Sequence, residues 1–234
     1  MLMRREERIR KYILVLLVIL AIVIIGGIFL KDILERSYPE YYNEHYQRGG
    51  YYLNEGALDL AVQELQKAVK ARPESGEAHY ALAVGYFRQE RLEEAARSFE
   101  RAIEFTPQHQ NIHWDIRYLL RTTYQRMGKW ELALEEDRKL IQKDPGSYEV
   151  FNNMGMIYGK IGDNNQALQA FNHAIKLNPS YYQAYLNRAY LYEAEGKIDL
   201  ASKEYQFIRE NASKSPETER FARAAVQRLA ALKR

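Results

Sequence analysis

Four prolines, Pro73, Pro107, Pro145 and Pro179, stand 34, 38 and 34 residues apart in a chain of 234. A fixed period of this length constrains the fold more than any other feature. It means stacked units, each of which buries its apolar face only against its neighbours. In the frame of these prolines the same residue types recur. Tyr52, Tyr86, Tyr124 and Tyr158 stand twenty-one residues before each proline, and Ala61, Ala95, Ala133 and Ala167 twelve before. Gly49, Ala83, Arg121 and Gly155 stand twenty-four before. A fifth unit keeps the register through Ala189, Tyr192, Gly196, Ala201 and Tyr205 but lacks the proline.

Each unit reads as two short amphipathic helices joined by a turn. Gly56, Gly128, Gly162 and Gly196 fall seven residues after the small position and are placed to end a first helix in the left-handed region. The second helix carries apolar residues at i, i+4 and i+7: Ala61, Leu65, Ala68; Ala95, Phe99, Ala102; Ala167, Phe171, Ala174. Small residues on one helix facing alanine on the other let the pair approach closely. Each proline then stops the second helix, because it lacks an N–H and disfavours helix at the residue before it.

This pattern resembles the tetratricopeptide repeat, from about Tyr42 to Ser213. The resemblance implies an all-α fold, a right-handed superhelical solenoid of five helix–turn–helix repeats at about 42–75, 76–109, 114–147, 148–181 and 182–213. It also implies a concave face lined by the first helix of each pair. Residues 214–234 are expected as a C-terminal capping helix, with Phe221, Ala225, Leu229 and Leu232 on one stripe and Arg220, Arg223 and Arg228 toward water. An acidic partner or lipid headgroups are the alternative use of its basic residues.

Residues 12–30 are nineteen consecutive uncharged, almost wholly apolar residues. A helix of that length spans about 28 Å, roughly the hydrocarbon thickness of a bilayer. The segment has no polar face, as a core helix would, and does not end in small residues, as a cleaved signal peptide would. It is expected as a transmembrane signal anchor that places lipid against residues 12–30. Arg4, Arg5, Arg8, Arg10 and Lys11 in the tail 1–11 outnumber Lys31 and Arg36 beyond the span. That bias puts the N-terminus in the cytoplasm and the repeats on the extracytoplasmic, periplasmic side; anchored repeat proteins of some organelles adopt the opposite orientation. A short linker, 31–41, keeps the repeats near the bilayer, and Tyr38, Tyr41 and Tyr42 suit either headgroup level or helix packing.

Formal net charge is +3, all of it carried by the first eleven residues, so the rest is neutral on balance. A nucleic-acid binder shows a basic excess in its folded part, and nucleic acid is disfavoured as a partner. There is no cysteine, hence no disulfide, thiol nucleophile or sulfur-based metal site. Asn211-Ala212-Ser213 matches a weak glycosylation motif. His45 and His79 occupy equivalent repeat positions and read as packing residues. His109 and His113, with Asp115 nearby, form at most an incomplete metal set. Acid pairs such as Glu135-Glu136 read as solvated faces. No phosphate loop, nucleophile elbow or zinc-protease helix occurs, no cofactor is implied, and the chain reads as non-enzymatic.

In the implied fold the groove positions lie three before, one after and four after the small residue. They give Tyr46, Tyr80, Tyr118, Asn152 and Leu186; Gly50, Val84, Thr122, Met156 and Tyr190; and Leu53, Phe87, Gln125, Gly159 and Glu193. The expected protein-binding groove therefore comprises Tyr46, Leu53, Tyr80, Val84, Phe87, Tyr118, Asn152, Met156, Leu186 and Tyr190, aromatic in its first half. The same rings also suit packing on their neighbours. The basic clamp positions by which some family members grip C-terminal carboxylates are here Tyr46 and Tyr118, which argues against that role.

The third unit departs from the pattern. It carries four extra residues within 108–113, has Arg121 where a small residue belongs, and has Asp137 where Phe or Tyr belongs. Arg121 and Asp137 are expected to form an ion pair between the two helices, since a buried charge without a partner is expensive. The function implied is a membrane-anchored protein–protein interaction scaffold, or an accessory subunit of a membrane-associated complex. The alternatives are a periplasmic assembly factor or holdase for exported chains, and a subunit whose partner supplies chemistry.

Overall fold

The computed structural model describes Leu20, residues 23–27, 39–212 and 215–232. From residue 39 onward the described chain is a succession of helices, with no strand among the described residues. They are α1 (Pro39–Glu55), α2 (Leu58–Ala71), α3 (Gly76–Arg88), α4 (Leu92–Phe105), α5 (Asn111–Arg126) and α6 (Trp130–Lys143), followed by α7 (Tyr148–Ile161), α8 (Asn164–Leu177), α9 (Tyr182–Ala194), α10 (Ile198–Asn211) and α11 (Pro216–Leu232). Consecutive helices pair as hairpins, α1 with α2 through α9 with α10. The chain divides into two compact units, one ending at Thr106 and one beginning at Pro107. In the first, α2 also packs on α3; in the second, α6 packs on α7, α8 on α9, and α11 lies against α10 and α9.

Most of the anchor expected at 12–30 lies outside the described residues. Within it, Leu20 and residues 23–27 are helical, and Leu20, Val23, Ile24 and Ile25 are exposed. Among the described residues no helix is long and apolar enough to cross a membrane. Tyr38 also lies outside them. Tyr42, by contrast, is buried, bonds Ser75 Oγ at 2.7 Å and sits beneath the Arg72 guanidinium, so it belongs to the packing of α1 and not to a lipid interface.

Local chemistry sets the ends of each hairpin. The turn after the first helix requires positive φ, and Gly56, Gly128, Gly162 and Gly196 supply it at 70–90°. In the second hairpin Glu90 holds the same position at φ 62°, where an L side chain is strained. Ser75 caps α3 by accepting from Ala78 N at 3.2 Å, and Asp163 caps α8 by accepting from Gln166 N at 3.1 Å.

A size-matched pair sets the separation of the two helices within a hairpin. Opposite the small residue of the first helix stands a large residue of the second, sixteen positions later: Gly49 with Leu65, Ala83 with Phe99, Gly155 with Phe171, Ala189 with Tyr205. All four large side chains are buried. A Cβ on Gly155 would lie 2.6 Å from Phe171 ring carbons, and one on Gly49 would collide with Leu65. Each such burial contributes about 1.5–3 kcal/mol, available only at this close approach.

The third hairpin solves the same packing problem with inverted sizes. Arg121 reaches from α5 and Asp137 recedes on α6, with Nε and Oδ1 3.5 Å apart. Asp137 is wholly buried and Arg121 nearly so, and Arg121 Nε and both Asp137 oxygens lack hydrogen-bond partners. Burial, aided by the neighbouring Glu136 charge and opposed by Arg121, pushes the Asp137 carboxyl up to about 7. Glu136, expected on a solvated face, is instead buried. It accepts from Arg117 Nη1 and Lys139 Nζ, both at 2.6 Å, while Glu135 is exposed. His45 and Glu64 meet at 2.5 Å in the equivalent place of the first hairpin, and Lys67 joins them as Lys139 does in the third.

The C-terminal helix closes the second unit. Ala222 and Ala225 are buried against Leu186, Tyr205 and Ile208, with Phe221, Leu229 and Leu232 packed beside them. Arg220 and Arg223 are exposed, but Arg228 pairs with Glu193, which also accepts from Tyr205 OH at 2.8 Å. Charge on α9 draws Arg228 out of the solvent-facing set. Asn211 lies in the last turn of α10, its amide donating to Phe207 O at 2.9 Å, and Ala212 is buried. Ser213, the third residue of the glycosylation motif, lies outside the described residues.

These contacts generate two sets of expected outcomes. Gly155→Ala should lower unfolding free energy by about 1–3 kcal/mol through overpacking against Phe171, read by urea denaturation. For Asp137, the folded state holds a proton between roughly pH 4 and 7 that the unfolded chain has released. Stability therefore falls as pH rises through that window. Relative to Asp137→Asn, the wild type should lose stability on the order of 4 kcal/mol from pH 4 to pH 8. The double change Arg121→Ala with Asp137→Phe should exceed wild-type stability at pH 8, whereas Arg121→Ala alone should cost about 3 kcal/mol.

Candidate functional site: a groove on the second unit

Within the second unit, two adjoining cavities open on the face formed by the first helices of its hairpins. One, of about 340 Å³, is lined by Gly155, Met156, Gly159, Lys160, Phe171, Asn187, Tyr190, Leu191 and Ala194. The other, of about 240 Å³, is lined by Thr122, Gln125, Arg126, Trp130, Met156, Ile157 and Lys160. Met156 and Lys160 belong to both, so the two form one continuous depression along α5, α7 and α9. The size-matched packing of the hairpin creates the larger cavity. With no side chain at Gly155, the Phe171 ring closes its floor, and Gly159 leaves open space one turn further on. Met156 is 46 % exposed and Tyr190 41 %, so both walls present apolar surface outward.

Of the residues expected to line a binding groove, the structure brings Met156 and Tyr190 together here, along with the register positions Thr122, Gln125 and Gly159. Three others are buried. Leu186 lies in the core beneath α11, and Asn152 accepts from Asn187 Nδ2 at 2.9 Å. Leu53 packs on α3 where Gly85 leaves room, and its carbonyl accepts from Arg88. These three present no binding surface, because the helix of the next hairpin, or the cap, covers them. The aromatic rings of the first half are partly exposed and pack locally. Tyr46 stacks on Tyr42 at 5.7 Å, Tyr80 lies 6.3 Å from Phe99, and Arg121 lies over Tyr118. Val84 and Phe87 are also half-buried, on α3. The large depression of the first unit, about 610 Å³, lies away from this row, at the hairpin turns around Gly56, Leu60, Gln89 and Arg91.

Lys160, Arg126, Trp130, Asn187 and Leu191 are groove residues that the register positions did not include. A signal for two of them exists. Arg88, Arg126 and Lys160 recur five residues after the small position, a basic residue in three successive units. Asn187 is fixed by Gln183 at 2.9 Å as well as by Asn152, which holds its amide at the cavity wall.

His45, His79 and His113 are buried in packing positions. His79 is buried, stacks on Phe105 and bonds Pro73 O at 2.9 Å; burial holds its pKa below the ordinary value. His113 is buried and accepts from Arg117 Nε at 3.0 Å, whereas His109 and Asp115 are exposed, so these three do not converge. Among the described residues no group of three or more His, Asp or Glu is placed to hold a metal ion.

Comparison with known proteins bears on what this architecture is. Solved structures with the same fold include the MamA protein, at TM-score 0.66 and 20% identity over 76% of this chain and 94% of that one. A MamA fragment from Desulfovibrio magneticus RS-1 matches at TM-score 0.66 and 13% identity, over 77% of this chain and 99% of that one. YrrB, described as a TPR protein with an unusual peptide-binding site, matches at TM-score 0.61 and 20% identity, over 85% of this chain and 97% of that one. A UDP-N-acetylglucosamine–peptide N-acetylglucosaminyltransferase of Giardia intestinalis is 37% identical over 70 residues, which is 30% of this chain and 5% of that enzyme. The chain thus spans a twentieth of that relative's length. Models of the tetratricopeptide repeat match residues 33–109, 148–181 and 170–201. Together with the helical hairpins and their small-to-large pairing, these matches show that the chain carries tetratricopeptide repeats.

Proposed function

We propose that this chain is a non-enzymatic, membrane-anchored interaction scaffold or accessory subunit that holds a segment of a partner protein in the groove of its second unit. The continuous depression around Met156 and Lys160 carries this reading. It is concave, apolar at its floor and edged by a few polar groups, as binding sites are. The likeness to YrrB, itself described as having a peptide-binding site, supports the same class of ligand. The anchor is part of the proposal on the strength of residues 12–30 and the basic residues before them. In that topology the N-terminus is cytoplasmic, the repeats are extracytoplasmic, and the partner is met at the membrane surface.

One observation favours the alternative, a periplasmic assembly factor or holdase. Met156, flexible and polarizable, sits at the junction of both cavities, the kind of residue that adapts to many apolar clients. Photoreactive side chains at Met156 and Tyr190, crosslinked in native membranes, separate the two. One dominant adduct at fixed stoichiometry supports the scaffold, many adducts support the holdase, and no adduct at either position overturns the groove. Because the chain has no cysteine, topology is testable with single introductions. A cysteine at exposed Gln63 should react with an impermeant maleimide from the extracytoplasmic side, and one at Glu6 should not. The reverse labelling would overturn the orientation.

A further inference from the structure

The groove of the second unit has a charge as well as a shape, and that charge selects its occupant. None of the residues lining either cavity is acidic, while Lys160 borders both and Arg126 borders the second. Lys160 is exposed, and no carboxylate pairs with it among the described residues. The carboxylates at the C-terminal end of α9 and just beyond it are already engaged. Glu193 is held by Arg228 and Tyr205, and Glu195 by Lys197 and Asn164, each at 3.0 Å. Arg228 also stands over the Tyr190 ring at 5.8 Å, its charge matched by Glu193. The surface is therefore apolar at its floor and carries the Lys160 ammonium, with no acidic residue in its lining, in a chain that is otherwise close to neutral after residue 11.

We infer that this groove takes an acidic peptide segment carrying two apolar side chains, one for each cavity, with a carboxylate beside Lys160. The inference rests on the groove being the binding face. A basic segment of the same apolar content would bring its charge beside Lys160 in a partly desolvated site, which costs affinity and selects against it. An acidic segment gains attraction there and a faster encounter, both weakened by salt. The bound segment needs no free C-terminus, because a side-chain carboxylate satisfies Lys160.

The test uses the full chain in neutral-detergent micelles and short, C-terminally amidated fluorescent peptides, read by anisotropy. Each peptide carries two leucines at varied spacing on a background of Glu, Lys or Gln; one further Glu peptide carries none. The Glu peptides with leucines should bind tightest and weaken with added salt, and the leucine-free peptide should bind poorly. Lys160→Glu, on an exposed helix surface, should weaken the Glu peptides roughly three- to tenfold and strengthen the Lys peptides. Equal binding of Glu, Lys and Gln peptides, all lost in Met156→Asp, would overturn the acidic assignment and leave the groove standing. Absence of binding by any leucine peptide, or binding indifferent to both substitutions, would overturn the groove and the inference together.

Discussion

Everything in this fold depends on how closely the two helices of a hairpin approach. Gly49, Ala83, Gly155 and Ala189 leave room that Leu65, Phe99, Phe171 and Tyr205 fill. That one exchange of volume buries some of the largest side chains of the core. It also shapes the proposed binding surface. Phe171 is at once the buried partner of Gly155 and the floor of the larger cavity, so core packing and the proposed binding surface share a residue. A substitution at Gly155 would therefore act on stability and recognition together.

The third hairpin shows what happens when the exchange is made with charges. Arg121 and Asp137 fill the volume but satisfy no hydrogen bond at Nε, Oδ1 or Oδ2. Coulomb attraction at 3.5 Å limits the cost without removing the desolvation of a wholly buried carboxylate, which is why Asp137 holds its proton to about 7. Beside it, Arg117, Glu136 and Lys139 form a well-bonded network that matches His45, Glu64 and Lys67 of the first hairpin. The bonded network is the recurring device; the unbonded pair belongs to the third hairpin.

Much of this architecture was legible in the sequence, because the period fixes which residues share a position. The proline ladder, the turn glycines and the Arg121–Asp137 pairing all follow from register alone. What the register does not carry is coverage by neighbouring elements. Leu53, Asn152 and Leu186 belong to the same set of register positions as Met156 and Tyr190, but packing from the next hairpin or from α11 covers them. Glu136 looked solvated because its partner Arg117 is nineteen residues away on another helix. The basic row of Arg126 and Lys160 was present as a recurrence, but basic residues on helices are usually solvent-facing, and the cavities are what single these two out.

The central claim is that recognition occurs over α7 and α9 of the second unit. Methyl NMR of the full chain, labelled at methionine, tests it most directly. Met156 lines both groove cavities, while Met154, two residues earlier, lines a separate cavity with Phe151, Tyr158 and His173. On titration with an acidic leucine-bearing peptide, the Met156 methyl signal should shift or broaden and the Met154 signal should stay in place. A shift at Met154 with Met156 unmoved would contradict the account.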